Sequence, residues 1–210
     1  MLAIQQTQLA EDYPVEGHGD PDLALLERIA RKDKAAFKAL YRQLYQPIYQ
    51  YLFRMLQRRE VCEELVDDVL LTVWQKAGDF RGRSKVRTWV IGIAYRKGLK
   101  RYYREARGPQ MDELEQHALR LRDEEDAGPE GRFQQQQLGV QLQTGLMSLS
   151  ANHRSVMELT MLGYSCNEIA SIVDCPVNTV KTRMFHARRQ LREYLGQLDP
   201  RAAAGRGEEQ

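Results

Sequence analysis

Three cysteines in 210 residues are too few for a disulfide framework. Cys62, Cys166 and Cys175 contain no CxxC pair and leave an odd number, and neither a redox pair at Cys166 and Cys175 nor a metal site with His153 matches a ligand spacing. They read most simply as packing residues. No apolar run is long enough to span a bilayer, and the opening MLAIQQTQLAEDYPVEGHGDPD lacks the basic start and apolar centre of a signal peptide. The expectation is a cytosolic protein without membrane insertion. Net charge is only +2, so overall basicity does not by itself imply nucleic acid, and the placement of the charges has to decide. The chain also has no nucleophile–base pair, no phosphate-cradling glycine loop and no metal-ligand cluster; no enzyme activity and no cofactor are expected.

What is present is helical. A hydrophobic content of 42% suffices for compact cores, and the apolar residues recur every three or four positions without the alternation of strands. Composition divides the chain. Residues 1–21, with Pro14, Gly17, Gly19 and Pro21, read as a loose leader. Residues 22–107 are densely helical. Residues 108–132 are acidic and bounded by Gly-Pro and Gly-Pro-Glu-Gly, a linker in which Met111 to Glu125 has the makings of a transient helix. Helical periodicity returns over 133–198, and 199–210 read as a frayed tail. The fold class is therefore all-α: two small helical domains on a flexible acidic tether.

The second domain ends in a motif. Ser165-Cys166-Asn167-Glu168 has the S-x-x-E form of a capping box and should start a helix whose buried face is Ile169, Ala170, Ile172 and Val173. Asp174-Cys175-Pro176 interrupts it, and Pro176 suits the first position of a following helix. There Val177, Val180, Met184, Ala187 and Leu191 form one buried stripe. Asn178, Thr179, Thr182, His186 and Arg189 lie opposite, flanked by Lys181, Phe185 and Arg183. Two short helices, the second basic, outline a helix-turn-helix that enters a DNA major groove, although an ordinary helical hairpin with a solvated basic face gives the same local pattern.

The first domain carries an electrostatic contrast. Val61 to Gln75 puts Leu65, Val69 and Val73 on one stripe, with Glu63, Glu64, Asp67 and Asp68 on the exposed sides. Residues 79–107 are strongly basic and interleaved with Phe80, Trp89, Tyr95, Tyr102 and Tyr103, a mixture suited to opened or single-stranded nucleic acid. Trp89, Ile93 and Tyr95 have helical spacing and fit the core better than base stacking, so the charged residues are the better candidates.

In this order EELVDDVLLTVWQKAGDFRGRSKVRTWVIGIAYRK, a variable linker and LSANHRSVMELTMLGYSCNEIASIVDCPVNTVKTRMFHARRQLREYL resemble bacterial RNA polymerase sigma factors of the extracytoplasmic-function type. The resemblance implies sigma domain 2 and sigma domain 4 joined by the linker. It implies as partners core RNA polymerase, through the clamp of the largest subunit and the flap of the second largest, together with promoter DNA and an anti-sigma factor. Glu64, Leu65, Asp67, Asp68, Leu71 and Trp74 correspond to the clamp-docking surface. Phe80, Arg81, Arg83, Ser84, Lys85, Arg87, Arg96, Lys97, Lys100 and Arg101 correspond to the element that captures a flipped −10 base and starts melting. Asn178, Thr179, Lys181, Thr182, Phe185 and His186 correspond to the face that reads the −35 element, with Arg183, Arg188 and Arg189 mostly on phosphates.

Departures qualify the match. Many relatives have asparagine where Arg96 stands, aspartate at Lys100 and arginine at His186, so neither promoter element's preferred sequence transfers, and Cys175 stands where a better N-cap is common, which weakens that cap modestly. The competing reading of the residues is a dimeric helix-turn-helix regulator with 22–107 as its sensor or dimerisation module. A protein adaptor, the third alternative, leaves the basic aromatic segment unexplained.

Overall fold

The computed structural model describes residues 20–106 and 129–198, with side chains over 20–105 and 139–197; the leader up to residue 19, the linker span 107–128 with its expected Met111 to Glu125 helix, and the tail from 199 lie outside the described residues. Among these residues every α or β element is a helix: α1 Leu23–Ala30, α2 Lys34–Leu56, α3 Arg59–Lys76, a 3-10 turn Ala77–Asp79, α4 Val86–Ala106, α5 Pro129–Ser148, α6 Ala151–Met161, α7 Cys166–Val173 and α8 Val177–Leu198.

Asp33 starts α2 by accepting hydrogen bonds from the amides of Ala35 at 2.8 Å and Ala36 at 3.1 Å, satisfying two otherwise orphan donors. The helix then buries Leu40, Leu44, Ile48, Tyr51, Leu52 and Met55, one stripe at three- and four-residue spacing. Burying each such aliphatic side chain contributes about 1.5–3 kcal/mol. Helix α3 answers with Cys62, Leu65, Val66, Val69 and Val73, and α4 with Val90, Ile91 and Ala94. Gly98 sets the approach of α4 to α2, since a β-carbon there would meet Leu52 at 2.9 Å and the Met55 sulfur at 3.2 Å.

The core does not stop at the domain boundary. Val156 and Leu159 of α6, Ile169, Ile172 and Val173 of α7, and Val180 and Met184 of α8 belong to the same buried cluster as α1–α4. A smaller cluster of Leu146, Leu149, Ala187 and Leu191 ties α5 to α8. Instead of two bodies that meet nowhere, α7 packs on α4 and α6 packs on α2.

Two boundaries differ from the sequence reading. Helix α5 begins at Pro129, inside the stretch read as linker, because proline and glycine are tolerated in a first turn whose amides need no intrahelical partner. Helix α8 begins at Val177, one residue after Pro176, whose carbonyl accepts from Thr179 N at 2.9 Å and Val180 N at 3.1 Å. Pro176 is thus the capping residue, and Cys175 lies outside the cap.

Candidate functional site

The helix-turn-helix is built as its sequence requires. Ser165 Oγ accepts from Glu168 N at 3.3 Å, while Glu168 Oε2 accepts from Ser165 N at 2.9 Å, a complete capping box. Partial burial works against the Glu168 carboxylate, but the Ser165 amide, the Ser165 hydroxyl and nearby Lys85 outweigh it and hold its pKa below the usual value. Asp174 takes the left-handed conformation, φ 51°, and turns the chain into α8. Val180, Met184, Ala187 and Leu191 are buried, with Val177 only half-buried.

Outward from that seam stand Asn178, Lys181, Thr182, Phe185, Arg188 and Arg189, all exposed; Thr179, Arg183 and His186 are half-buried. Phe185 is 64% exposed, an unusual position for an aromatic ring unless something covers it. Lys181, Phe185, Arg188 and Arg189 line a depression with Cys166, Met184 and Arg192. The His186 ring lies 6.3 Å from that of His153, and Arg189 faces Glu193 at 3.7 Å. Exposed donors on one side of a rigid helix can reach base edges and phosphates together.

In the first half of the chain, the loop between the 3-10 turn and α4 presents Arg81, Arg83 and Lys85 to solvent around Gly82, whose φ of +66° favours glycine. Ser84 donates to the carbonyl of its neighbour Lys85 at 3.3 Å. Phe80 is half-buried and packs on Trp89, ring centres 5.3 Å apart. That contact makes Phe80 part of the loop's support, and Tyr95, 6% exposed, is core as its spacing suggests. Arg87, Arg96 and Lys100 are exposed. Three basic candidates are already engaged by carboxylates: Arg87 meets Asp22 at 3.1 Å, Lys97 faces Asp68 at 3.7 Å, and Arg101 faces Glu64 at 3.7 Å and Glu105 at 2.6 Å.

The acidic helix α3 separates its candidates in the same way. Asp67, Asp68, Glu64 and Leu71 are exposed, Leu71 by 52%, whereas Leu65 is 7% exposed and faces the core, so it supports this surface from behind and does not form it. Trp74 is half-buried between Phe37, at 5.2 Å between ring centres, and the Lys32 ammonium, 5.3 Å above the ring. Phe37 and Trp74, with Lys34, Tyr41, Asp67, Leu70 and Leu71, line an apolar cavity of about 360 Å³. Tyr41 donates to Asp67 at 2.9 Å; burial, then this carboxylate, push its phenol up to about 12. Cys62, fully buried on the inner side, has its thiol pushed up to about 12 by desolvation and is chemically inert at neutral pH.

Two groups escaped the sequence reading. Asp20, assigned to the leader, accepts from Val86 N at 2.6 Å and so caps α4; Asp22, 2% exposed, accepts from Arg87 Nε at 3.1 Å. The second is Arg154. It is 2% exposed and donates to the carbonyls of Leu146, Met147 and Leu149 at 3.0, 2.6 and 3.2 Å, and to Met55 of α2 at 3.1 Å. One turn on, Glu158 is fully buried and its Oε2 meets Arg54 Nη1 at 3.4 Å, while its Oε1 has no partner. Burial pushes the Glu158 carboxyl above its usual range despite Arg54 and Arg154.

These surfaces coincide with matches to known proteins. The family model for Sigma-70 region 2 matches residues 40–108, and that for Sigma-70, region 4 matches residues 139–191. The chain is similar to an ECF RNA polymerase sigma-E factor of Haemophilus influenzae, 29% identical over 84% of this chain and 96% of that one. It is also similar to the sigma-E factor of Escherichia coli K12, 27% identical over 81% and 92%. The RNA polymerase sigma-H factor of Pseudomonas aeruginosa is 24% identical over 85% and 96%. Among solved structures the fold is shared with CnrH in complex with the cytosolic domain of CnrY, TM-score 0.62 at 20% identity, covering 85% of this chain and 99% of that one. It is shared too with the sigma factor RpoE bound to the anti-sigma factor NepR from Bartonella quintana, TM-score 0.55 at 21% identity, covering 76% and 96%.

The chain belongs to the extracytoplasmic-function sigma factors of the sigma-70 family. It is a promoter-specificity subunit that binds core RNA polymerase, recognises −35 and −10 promoter elements and helps melt the −10 region to start transcription.

Proposed function

We propose a division of labour within that function. Residues 22–107 act as sigma domain 2 and 133–198 as sigma domain 4. The α8 face of exposed Lys181, Thr182 and Phe185 with half-buried His186 reads the −35 element, while Arg183, Arg188 and Arg189 hold phosphates and set register. Arg81, Arg83, Lys85, Arg87, Arg96 and Lys100 guide the opened −10 strand, with Phe80 and Trp89 bracing the loop beneath them. Glu64, Asp67, Asp68, Leu71 and Trp74 dock on the clamp of the largest polymerase subunit, and sigma domain 4 meets the flap of the second largest. No chemistry is performed by the protein itself. It works where the polymerase and promoter DNA are, in the bacterial cytoplasm; no described helix is long and apolar enough to cross a membrane. An anti-sigma factor is the expected antagonist, since both solved relatives named above were captured with a protein partner.

The observation that carries this reading is Phe185. A 64% exposed ring among lysine and arginine side chains, on the outer face of a helix whose inner face is buried, is arranged for contact with DNA. The test is run-off transcription from a pool of promoter fragments, using bacterial core polymerase with and without the protein. Protein-dependent starts that share two spaced elements support the assignment. Recovery of a symmetric duplex site, with no binding to core, overturns it in favour of a dimeric regulator.

A further inference from the structure

On the outer face of α8 the means of telling bases apart are unevenly spread. Thr182 has already donated its hydroxyl proton to the Asn178 carbonyl at 2.9 Å, and Phe185 has no polar side-chain atom. Lys181 is a point charge on a flexible stem. Directional hydrogen bonding to a base edge therefore rests on His186, an imidazole, which in its neutral form offers one donor and one acceptor on a short planar group. Such a ring discriminates between bases only if it is held in one orientation.

Two rings hold it. Phe185, its neighbour on α8, meets it edge-on, with ring centres 5.5 Å apart and planes at 74°. His153 comes from another helix, and its ring lies 6.3 Å from that of His186 with the planes tilted by 30°. His153 stands in the first turn of α6, where its amide donates to Ser150 Oγ at 3.4 Å. Helix α6 is in turn fixed against α8 through the shared core of Val156, Leu159, Val180 and Met184. Both histidines are half-buried, so neither ring swings freely in solvent. His153 Nδ1 is buried without a partner among the described residues, which closes that nitrogen to DNA and leaves the ring face as what the side chain brings to His186.

We propose that His153 is a positioning residue for promoter recognition: by packing on His186 it sets the orientation of that imidazole, and so fixes the base preference at the one −35 position that His186 reads. The proposal rests on the assignment of α8 to the −35 element. Its physical basis is preorganisation. A ring already held loses little rotamer freedom on meeting DNA, and it offers the wrong base no second pose.

The test is selection, by the full chain bound to core polymerase, of promoter fragments with a randomised −35 element, read by sequencing. The natural protein is compared with His186→Ala, His153→Ala, His153→Phe and the double variant His153→Ala with His186→Ala. His186→Ala should lower the preference at one position by about tenfold. His153→Ala should lower it at that same position by about threefold, the scale of one aromatic contact, and leave the other positions unchanged. His153→Phe keeps a ring against His186 and should retain most of the preference, while the double variant should be no worse than His186→Ala. His153→Gln removes the ring but keeps a polar side chain and should match His153→Ala, so the outcome does not hang on the folding of one variant. A loss spread evenly over all positions, independent losses that combine in the double variant, or a His186→Ala protein with every preference intact overturns the proposal. Preferred bases in the natural holoenzyme that survive both His153→Ala and His153→Gln strike it alone. A natural holoenzyme with no preferred −35 base strikes the assignment of α8 and the proposal with it.

Discussion

Arg154 joins three parts of the chain through one guanidinium, closing the end of α5, the turn after it and the end of α2. Arg154→Ala leaves these buried carbonyls without donors and should lower stability by about 3–5 kcal/mol in urea unfolding. Arg154→Lys should recover little, since an ammonium is a compact charge without the planar fork that serves several acceptors at once. On the outer face the expected effects are different in kind. Lys181→Ala should change the preferred −35 sequence in a promoter-selection assay, while Arg189→Ala should weaken binding to all sequences and reduce the salt slope by about 1. Equal, sequence-independent losses from both would remove the distinction. Helical spacing placed both residues off the buried stripe, and their separate roles are what the resemblance to sigma factors implies; the pairing of Arg189 with Glu193 is a modest addition at the surface.

Helices α3 and α7 show where periodicity succeeds and where it needs the structure. The capping box of α7 was readable because both partners lie within three residues, and it forms as written. Ser165→Ala should cost about 1 kcal/mol. Because the folded Glu168 pKa is depressed, its contribution is present above the ordinary glutamate range near pH 4.5 and is lost as pH falls through the lower folded value. The Ser165→Ala penalty should therefore shrink in acid, which urea titrations at pH 3 and pH 7 would check. In α3 the resemblance puts Leu65 and Leu71 on one docking surface, whereas helical spacing sets Leu65 on the inner stripe with Val69 and Val73. Burial separates them as the spacing does. Leu71→Ala should leave the melting temperature unchanged and weaken polymerase binding by about 1 kcal/mol or more. Leu65→Ala should cost about 2–5 kcal/mol of fold stability, and any loss of binding should follow unfolding. Normal stability in Leu65→Ala with lost docking would reverse these roles.

At the scale of the molecule, the sequence announced the helices and the change of composition between them, but not the packing of α6 on α2. Arg54 and Glu158 stand 104 positions apart, and Met55 and Arg154 99. Each reads alone as an ordinary helical residue, and no local spacing rule connects them. The same holds for Asp20, which looked like leader because glycine and proline surround it, yet reaches Val86 across 66 positions.

That hydrogen bond closes the first half of the chain into a ring without a covalent link. Bringing the ends of so long a loop together has an entropic cost that grows only slowly with length, but the contact gains nothing until α1 to α4 are already in place. The ring should therefore be the last feature of this half to form during refolding and the first to open on unfolding. In Asp20→Ala, hydrogen exchange should accelerate at the first amides of α4 and leave the α2 and α3 cores protected. Uniform acceleration through all the helices would show that ring closure belongs to the folding nucleus.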